Sequence, residues 1–107
     1  MGGDVFRALA DPNRRLILDE LSERDGQTLF ELCTRLINRH GIAISRQAIS
    51  QHLEVLEEAG LVRSHRVGRT KVHQLDTQPI GDAVARWLAP HPDRPQRPGS
   101  TAGKEQP

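Results

Sequence analysis

The stretch that most limits what this chain can become is SRQAISQHLEVLEEAGLVRSHRVGRTKVHQL, residues 45–75. Ser45 is a helix N-cap residue. Behind it Ile49, Leu53 and Leu56, helped by Ala48 and Val55, recur at helical spacing, so one face of this helix must be buried. The positions of its first two turns that do not point to the core are Arg46, Gln47, Ser50 and Gln51. Ala59-Gly60 closes the helix. Two β-compatible runs, LVRSHRV and TKVHQL, then flank Gly68-Arg69. A two-residue link with glycine first predicts a hairpin with a type II′ turn.

The flanking sequence supplies the elements this helix and hairpin pack against. A short helix is expected over Asp4 to Ala10, with Val5, Phe6 and Leu9 on one side. Asp11 caps the next, Pro12 suits its first position, Ile17, Leu18 and Leu21 form its apolar stripe, and Asp25-Gly26 ends it. Thr28 with Glu31 three residues on has capping-box spacing, and Leu29, Leu32, Cys33, Leu36 and Ile37 follow as a clear amphipathic stripe up to His40-Gly41. After the hairpin, Thr77 caps a last helix that has Pro79 in its first turn and Ile80, Ala83, Val84, Trp87 and Leu88 as its stripe. Pro90 ends it.

The expected fold is mainly α with a two-stranded β-wing, in the order α-α-α-α-β-β-α, a winged helix-turn-helix over residues 1–89. Residues 90–107 hold five of the seven prolines and no large apolar side chain, so they read as a disordered tail.

In such a fold the second helix of the pair enters the major groove by its N-terminal residues. Arg makes bidentate contacts to guanine, Gln to adenine, and Ser reaches several base-edge groups. The hairpin adds Arg63, Arg66, Arg69 and Lys71 with no acid among them, which suits phosphate contacts. Glu54, Glu57 and Glu58 crowd the far end of the recognition helix, so DNA is expected at its N-terminal half. The overall charge of +1 carries no such information; the distribution does. Double-stranded DNA is therefore the expected partner. A single cysteine, no long apolar run and no signal-peptide layout point to a cytoplasmic protein away from membranes. Enzymatic activity finds no support, since no nucleophile–base pair or phosphate-cradling glycine loop stands out.

Three segments, FRALADPNRRLILDEL, SRQAISQHLEVLEEAGLV and HRVGRTKVHQLD, resemble the ArsR/SmtB family of bacterial transcriptional repressors over about residues 5–76. The resemblance implies a homodimer joined through the first and last helices, bound to an operator that is an imperfect inverted repeat. Two recognition helices would then enter successive major grooves about 34 Å apart. Ser45, Arg46, Gln47, Ser50, Gln51 and His52 match the family's recognition-helix segment, and Arg66, Arg69 and Lys71 its wing. His52 falls between the core and DNA faces, so a structural role competes with a phosphate contact. Val5, Phe6, Leu9, Ile80, Val84, Trp87 and Leu88 are the expected dimer interface, with burial inside a monomer as the alternative.

Two departures from the family pattern matter. Where arsenic-sensing relatives carry C-x-C, this chain has Cys33-Thr34-Arg35, and one thiol cannot hold a soft metal; Cys33 is expected in the core instead. The last helix offers Asp82 and no histidine, so no metal and no cofactor is expected. The connection INRHGIAI between Leu36 and Ser45 is also longer than the short turn usual in such a pair. It can lengthen the third helix or bulge as a loop, with Ile42 and Ile44 partly buried. A winged helix serving as a protein-interaction module, or one sensing an unidentified small ligand, is the rival reading.

Overall fold

A computed structural model describes residues 4–90 of the chain. The elements run α1 (Val5–Ala10), α2 (Pro12–Glu23), β1 (Gln27–Thr28), α3 (Leu29–His40), α4 (Arg46–Glu58), β2 (Val62–Val67), β3 (Thr70–Leu75) and α5 (Gln78–Leu88). The expected disordered tail lies outside the described residues, apart from Pro90.

Local chemistry sets most of the boundaries. The Asp11 carboxylate accepts from the Asn13 N–H at 2.8 Å and the Arg14 N–H at 3.2 Å, so one residue ends α1 and starts α2. At α3 the capping box is complete. Thr28 Oγ1 accepts from the Glu31 N–H, and Glu31 Oε1 accepts from the Thr28 N–H. Ser45 Oγ accepts from the Ala48 N–H at 3.0 Å to open α4. Gly41 (φ +63°) and Gly60 (φ +78°) close α3 and α4 in the left-handed region, and the next N–H bonds back into the helix, Ile42 to the Leu36 carbonyl and Leu61 to the Leu56 carbonyl. The extra residues of the α3–α4 connection thus add a helical turn, which runs to His40. A short link with Ile42 and Ile44 packed against the core completes it.

The core gathers Ile17, Leu18 and Leu21 from α2, Leu32 and Leu36 from α3, Ile49, Leu53 and Leu56 from α4, and Leu61 and Val62 at the root of the wing. Each of the helical members lies on the stripe its spacing dictated. Cys33 packs half-buried at the edge of the same cluster.

The expected two-stranded hairpin wing forms from β2 and β3, paired antiparallel from Val62 with Leu75 to Val67 with Thr70. A third strand, β1, adds to the other edge of β3 (Gln27 with His73, Thr28 with Val72), giving the order β1-β3-β2. Two residues cannot hold as a strand alone; β1 exists because β3 presents a free edge and Gln27 is pinned beneath it. Its side-chain amide donates to the Glu20 and Arg24 carbonyls at 3.0 and 2.7 Å. One expectation, at α5, needs correcting. Thr77 makes no side-chain cap. Asp76 Oδ1 accepts from the Gln78 N–H at 3.0 Å instead, because Asp76 is already fixed by its N–H bond to the Leu61 carbonyl.

Candidate nucleic-acid interface

The N-terminal half of α4 and the wing meet along one open cleft of about 520 Å³, lined among others by Arg46, Ser50, Glu54, Glu57, Arg69 and Lys71. Arg46, Gln47 and Gln51 are exposed and Ser50 is half-buried, on the first two turns opposite Ile49 and Leu53. In the hairpin, Gly68 has φ +65°, and no non-glycine among the described residues has positive φ, the pattern of a type II′ turn. The register sets Arg66 opposite Lys71, with Arg69 in the turn, and all three are exposed. Helix end and wing tip therefore face the same space. Arg63 does not contribute there, since its Nε is 3.1 Å from Asp76 Oδ2.

Glu57, expected only as an acid that DNA avoids, ties the wing to α4. Lys71 Nζ is 3.7 Å from its Oε2, and Ser64 Oγ donates to its Oε1 at 3.4 Å. At the wing's root His73 is buried, and its Nδ1–H donates to the Gln27 carbonyl at 3.0 Å. Nothing local in the sequence shows that Glu57 turns toward a strand, since its partner lies across the hairpin.

His52 is half-buried and turned away from the cleft toward α2. Its Nδ1 is 3.3 Å from Arg14 Nη1. The same guanidinium donates to the Ala8 carbonyl (Nε, 2.8 Å) and the Arg7 carbonyl (Nη2, 3.2 Å), so it joins α1, α2 and α4. Asp11 stands beside this group. Burial raises its carboxyl, but the N–H bonds from Arg14 and Asn13 and the charge of the Arg14 guanidinium leave it below the ordinary value.

A second polar cluster sits behind the reading face. Glu20 is 1% exposed on α2. Its Oε1 accepts from Arg35 Nε, while its Oε2 lies 2.7 Å from His40 Nε2 and 3.3 Å from Arg39 Nε. Burial raises the Glu20 carboxyl; the His40 and Arg35 hydrogen bonds and the Arg35 and Arg39 charges outweigh it and hold the group below the usual carboxylate range. Among the described residues no group of three or more His, Cys, Asp and Glu is placed to hold a metal. Burial pushes the Cys33 thiol up, against the opposing charge of Arg46.

The seven residues expected at the dimer interface divide into two sets. Val5, Leu9 and Ile80 are partly buried against the core, and Val84 is half-buried. Phe6, Trp87 and Leu88 are 45%, 51% and 75% exposed on adjoining faces of α1 and α5. Phe6 and Trp87 lie ring to ring at 5.8 Å, and the Arg86 guanidinium covers the indole at 4.0 Å.

A helix pair whose second member exposes amides and arginine, with a cationic hairpin on the same side, defines a winged helix-turn-helix DNA-binding protein. A family model described as a helix-turn-helix domain matches residues 9–65. The HTH-type transcriptional regulator YuzN of Bacillus subtilis is 50% identical over 84 residues, covering 78% of this chain and 91% of YuzN. The transcriptional repressor SdpR of the same organism is 34% identical over 85 residues, 79% of this chain and 86% of SdpR. Among solved structures, an ArsR-like transcriptional regulator from Rhodococcus sp. RHA1 superposes with a TM-score of 0.65 at 39% identity, covering 78% of this chain and 70% of that one. The chain belongs to the ArsR/SmtB-type winged helix-turn-helix family of transcriptional regulators. No described helix is long and apolar enough to cross a membrane.

Proposed function

We propose that two copies of the chain associate through α1 and α5, occupy an imperfect inverted repeat in operator DNA in the cytoplasm, and repress transcription. The observation that carries this reading is the shared cleft between the polar end of α4 and the cationic wing tip. Arg46, Gln47, Ser50 and Gln51 meet base edges. The Ser45-capped helix end takes a phosphate, and Arg66, Arg69 and Lys71 follow the backbone. With Lys71 paired to Glu57, Arg66 and Arg69 of both copies give four wing cations per dimer and imply a salt dependence of log K on log salt of about −4, at roughly 0.9 per phosphate contact. The exposed Phe6, Trp87 and Leu88 supply the apolar centre of the dimer contact, and the repressor role is supported by the likeness to SdpR.

The test is selection of binding sites from a randomised duplex library, followed by affinity measurements on the Arg46→Ala and Gln47→Ala variants. Each substitution should weaken the selected site by about 1–3 kcal/mol and relax specificity at one base position. Site-specific binding unaffected by either change overturns the groove assignment. Light scattering should give a dimer mass at micromolar concentration and a monomer for Trp87→Glu; a monomeric wild type overturns the association.

A further inference from the structure

Arg14 has a place in this fold that the winged-helix role does not explain. A guanidinium carries donors and no acceptor. Its contact with His52 therefore requires an unprotonated Nδ1, so the imidazole is neutral with its proton on Nε2. His52 projects from the second turn of α4, next to Gln51 of the reading face. At its other edge the same guanidinium holds the carbonyls of Arg7 and Ala8 in α1, the helix assigned to the dimer.

We propose that Arg14 is a positioning residue that fixes the recognition helix to α1 through neutral His52, so that protonation of His52 releases α4 and weakens operator binding. The proposal rests on α4 reading DNA. Its chemistry is simple. A protonated imidazole has two N–H donors and no acceptor, so it cannot receive the Arg14 proton, and it brings a second positive charge against the guanidinium.

The charged groups around the pair come from three elements. Arg14 and Asp11 lie at the start of α2. Asp4 and Arg7 of the α1 segment and Glu58 of α4 share a small adjoining cleft with Arg14. Asp11 accepts both of its backbone N–H bonds at the start of α2 through Oδ1.

A direct phosphate contact by His52 predicts the opposite sign, since an imidazolium would tighten DNA binding. The wing residue His65 is exposed and would also tighten binding on protonation, so His52 must be isolated by comparison. His52→Asn does this. Its Oδ1 stands near the Nδ1 position as an acceptor that does not titrate.

Two measurements decide the matter. Long-range ¹⁵N–¹H spectra of the free protein should show His52 as the Nε2–H tautomer at pH 8, with the Arg14 Nε–H signal shifting as His52 titrates. A protonated Nδ1 at pH 8, or an Arg14 signal indifferent to that titration, overturns the tie whatever DNA does. Affinity for the duplex selected with the wild type is then measured at pH 8 and 5.5. Wild type should lose roughly three- to tenfold more affinity than His52→Asn, as expected for one hydrogen bond of ordinary net strength. The difference should vanish in an Arg14→Met background. Equal losses in wild type and His52→Asn, or tightening specific to the wild type, overturn the proposal. If no variant binds any duplex at either pH, the DNA reading fails and the proposed effect on binding fails with it. The spectra then report on the Arg14–His52 tie separately.

Discussion

Replacing Glu20 by Ala should destabilise the protein by about 2 kcal/mol, and the structure sets that size. The side chain is buried, and it accepts charge-assisted bonds from Arg35 and His40, with Arg39 close by. Removing one member of a fully buried ion pair costs about 3–5 kcal/mol, largely because the remaining charge is stranded. Here the stranded partners are not deep. The side chains of Arg35, His40 and Arg39 are 23%, 27% and 46% exposed and can turn to water. Two charge-assisted bonds at the low end of their range, about 1.5 kcal/mol each, give about 3 kcal/mol. Removing a buried carboxylate also relieves desolvation, which takes the loss to about 2 kcal/mol.

Urea unfolding followed by circular dichroism measures that loss, and the melting temperature should fall by about 8–16 °C for a domain of this size. The pH dependence gives a second check. Because the folded state holds the Glu20 carboxyl below its ordinary value of 4.5, it contributes stability above that pH. The contribution disappears as pH falls further through the folded-state value. Wild type should therefore converge on the variant in acid. A Glu20→Ala protein within 0.5 kcal/mol of wild type at pH 7, or a gap that does not narrow on acidification, refutes the reasoning.

Gly60→Ala should cost about 1–2 kcal/mol in the same unfolding assay, since Gly60 sits at φ +78° and an added Cβ would stand 3.2 Å from Pro79 Cγ; an unchanged midpoint would show that the turn readjusts freely. Glu57→Gln removes an acid from the cleft and frees Lys71 for phosphate. The salt slope should steepen by up to about two units for a dimer, with non-specific duplex affinity rising; a slope equal to wild type, read by fluorescence anisotropy across a salt series, argues against Lys71 reaching DNA.

What the sequence disclosed, and what it hid, follows the range of the forces involved. Asp11, Thr28 with Glu31, and Ser45 could be read as caps because a cap bonds backbone two or three residues away. The helical stripes could be read because burial imposes a period. Gly68-Arg69 announced its hairpin because two residues suffice to set a turn. Cys33 fell into place by its position in a stripe. By contrast, β1 depends on an edge that β3 provides more than forty residues later. Asp76 displaced Thr77 as the α5 cap because a backbone bond to Leu61 had already fixed it. Glu20 reads as an ordinary acid until α3 brings Arg35, Arg39 and His40 onto it. The excess length between Leu36 and Ser45 was visible; its fate as a helical turn was settled by those same contacts.

That last point bears on how the reading face keeps its shape. Extra residues immediately before a recognition helix would ordinarily loosen its start. Here Arg39 and His40 occupy the added turn and bind Glu20, while Ile42 and Ile44 pack against the core, so the slack is taken up before Ser45. The helix itself is then held from two sides by charged or polar side chains: Arg14 through His52 along one flank, and Glu57 to Lys71 and Ser64 along the other. Neither tie belongs to the apolar core that keeps the domain folded. Altering either should therefore change where α4 points at much smaller cost to stability than truncating Ile49 or Leu56, whose loss would cost about 2–5 kcal/mol. Sequence variation at Arg14, His52, Glu57 and Lys71 is accordingly the most economical way for this fold to retune its grip on DNA without redesigning the residues that touch it.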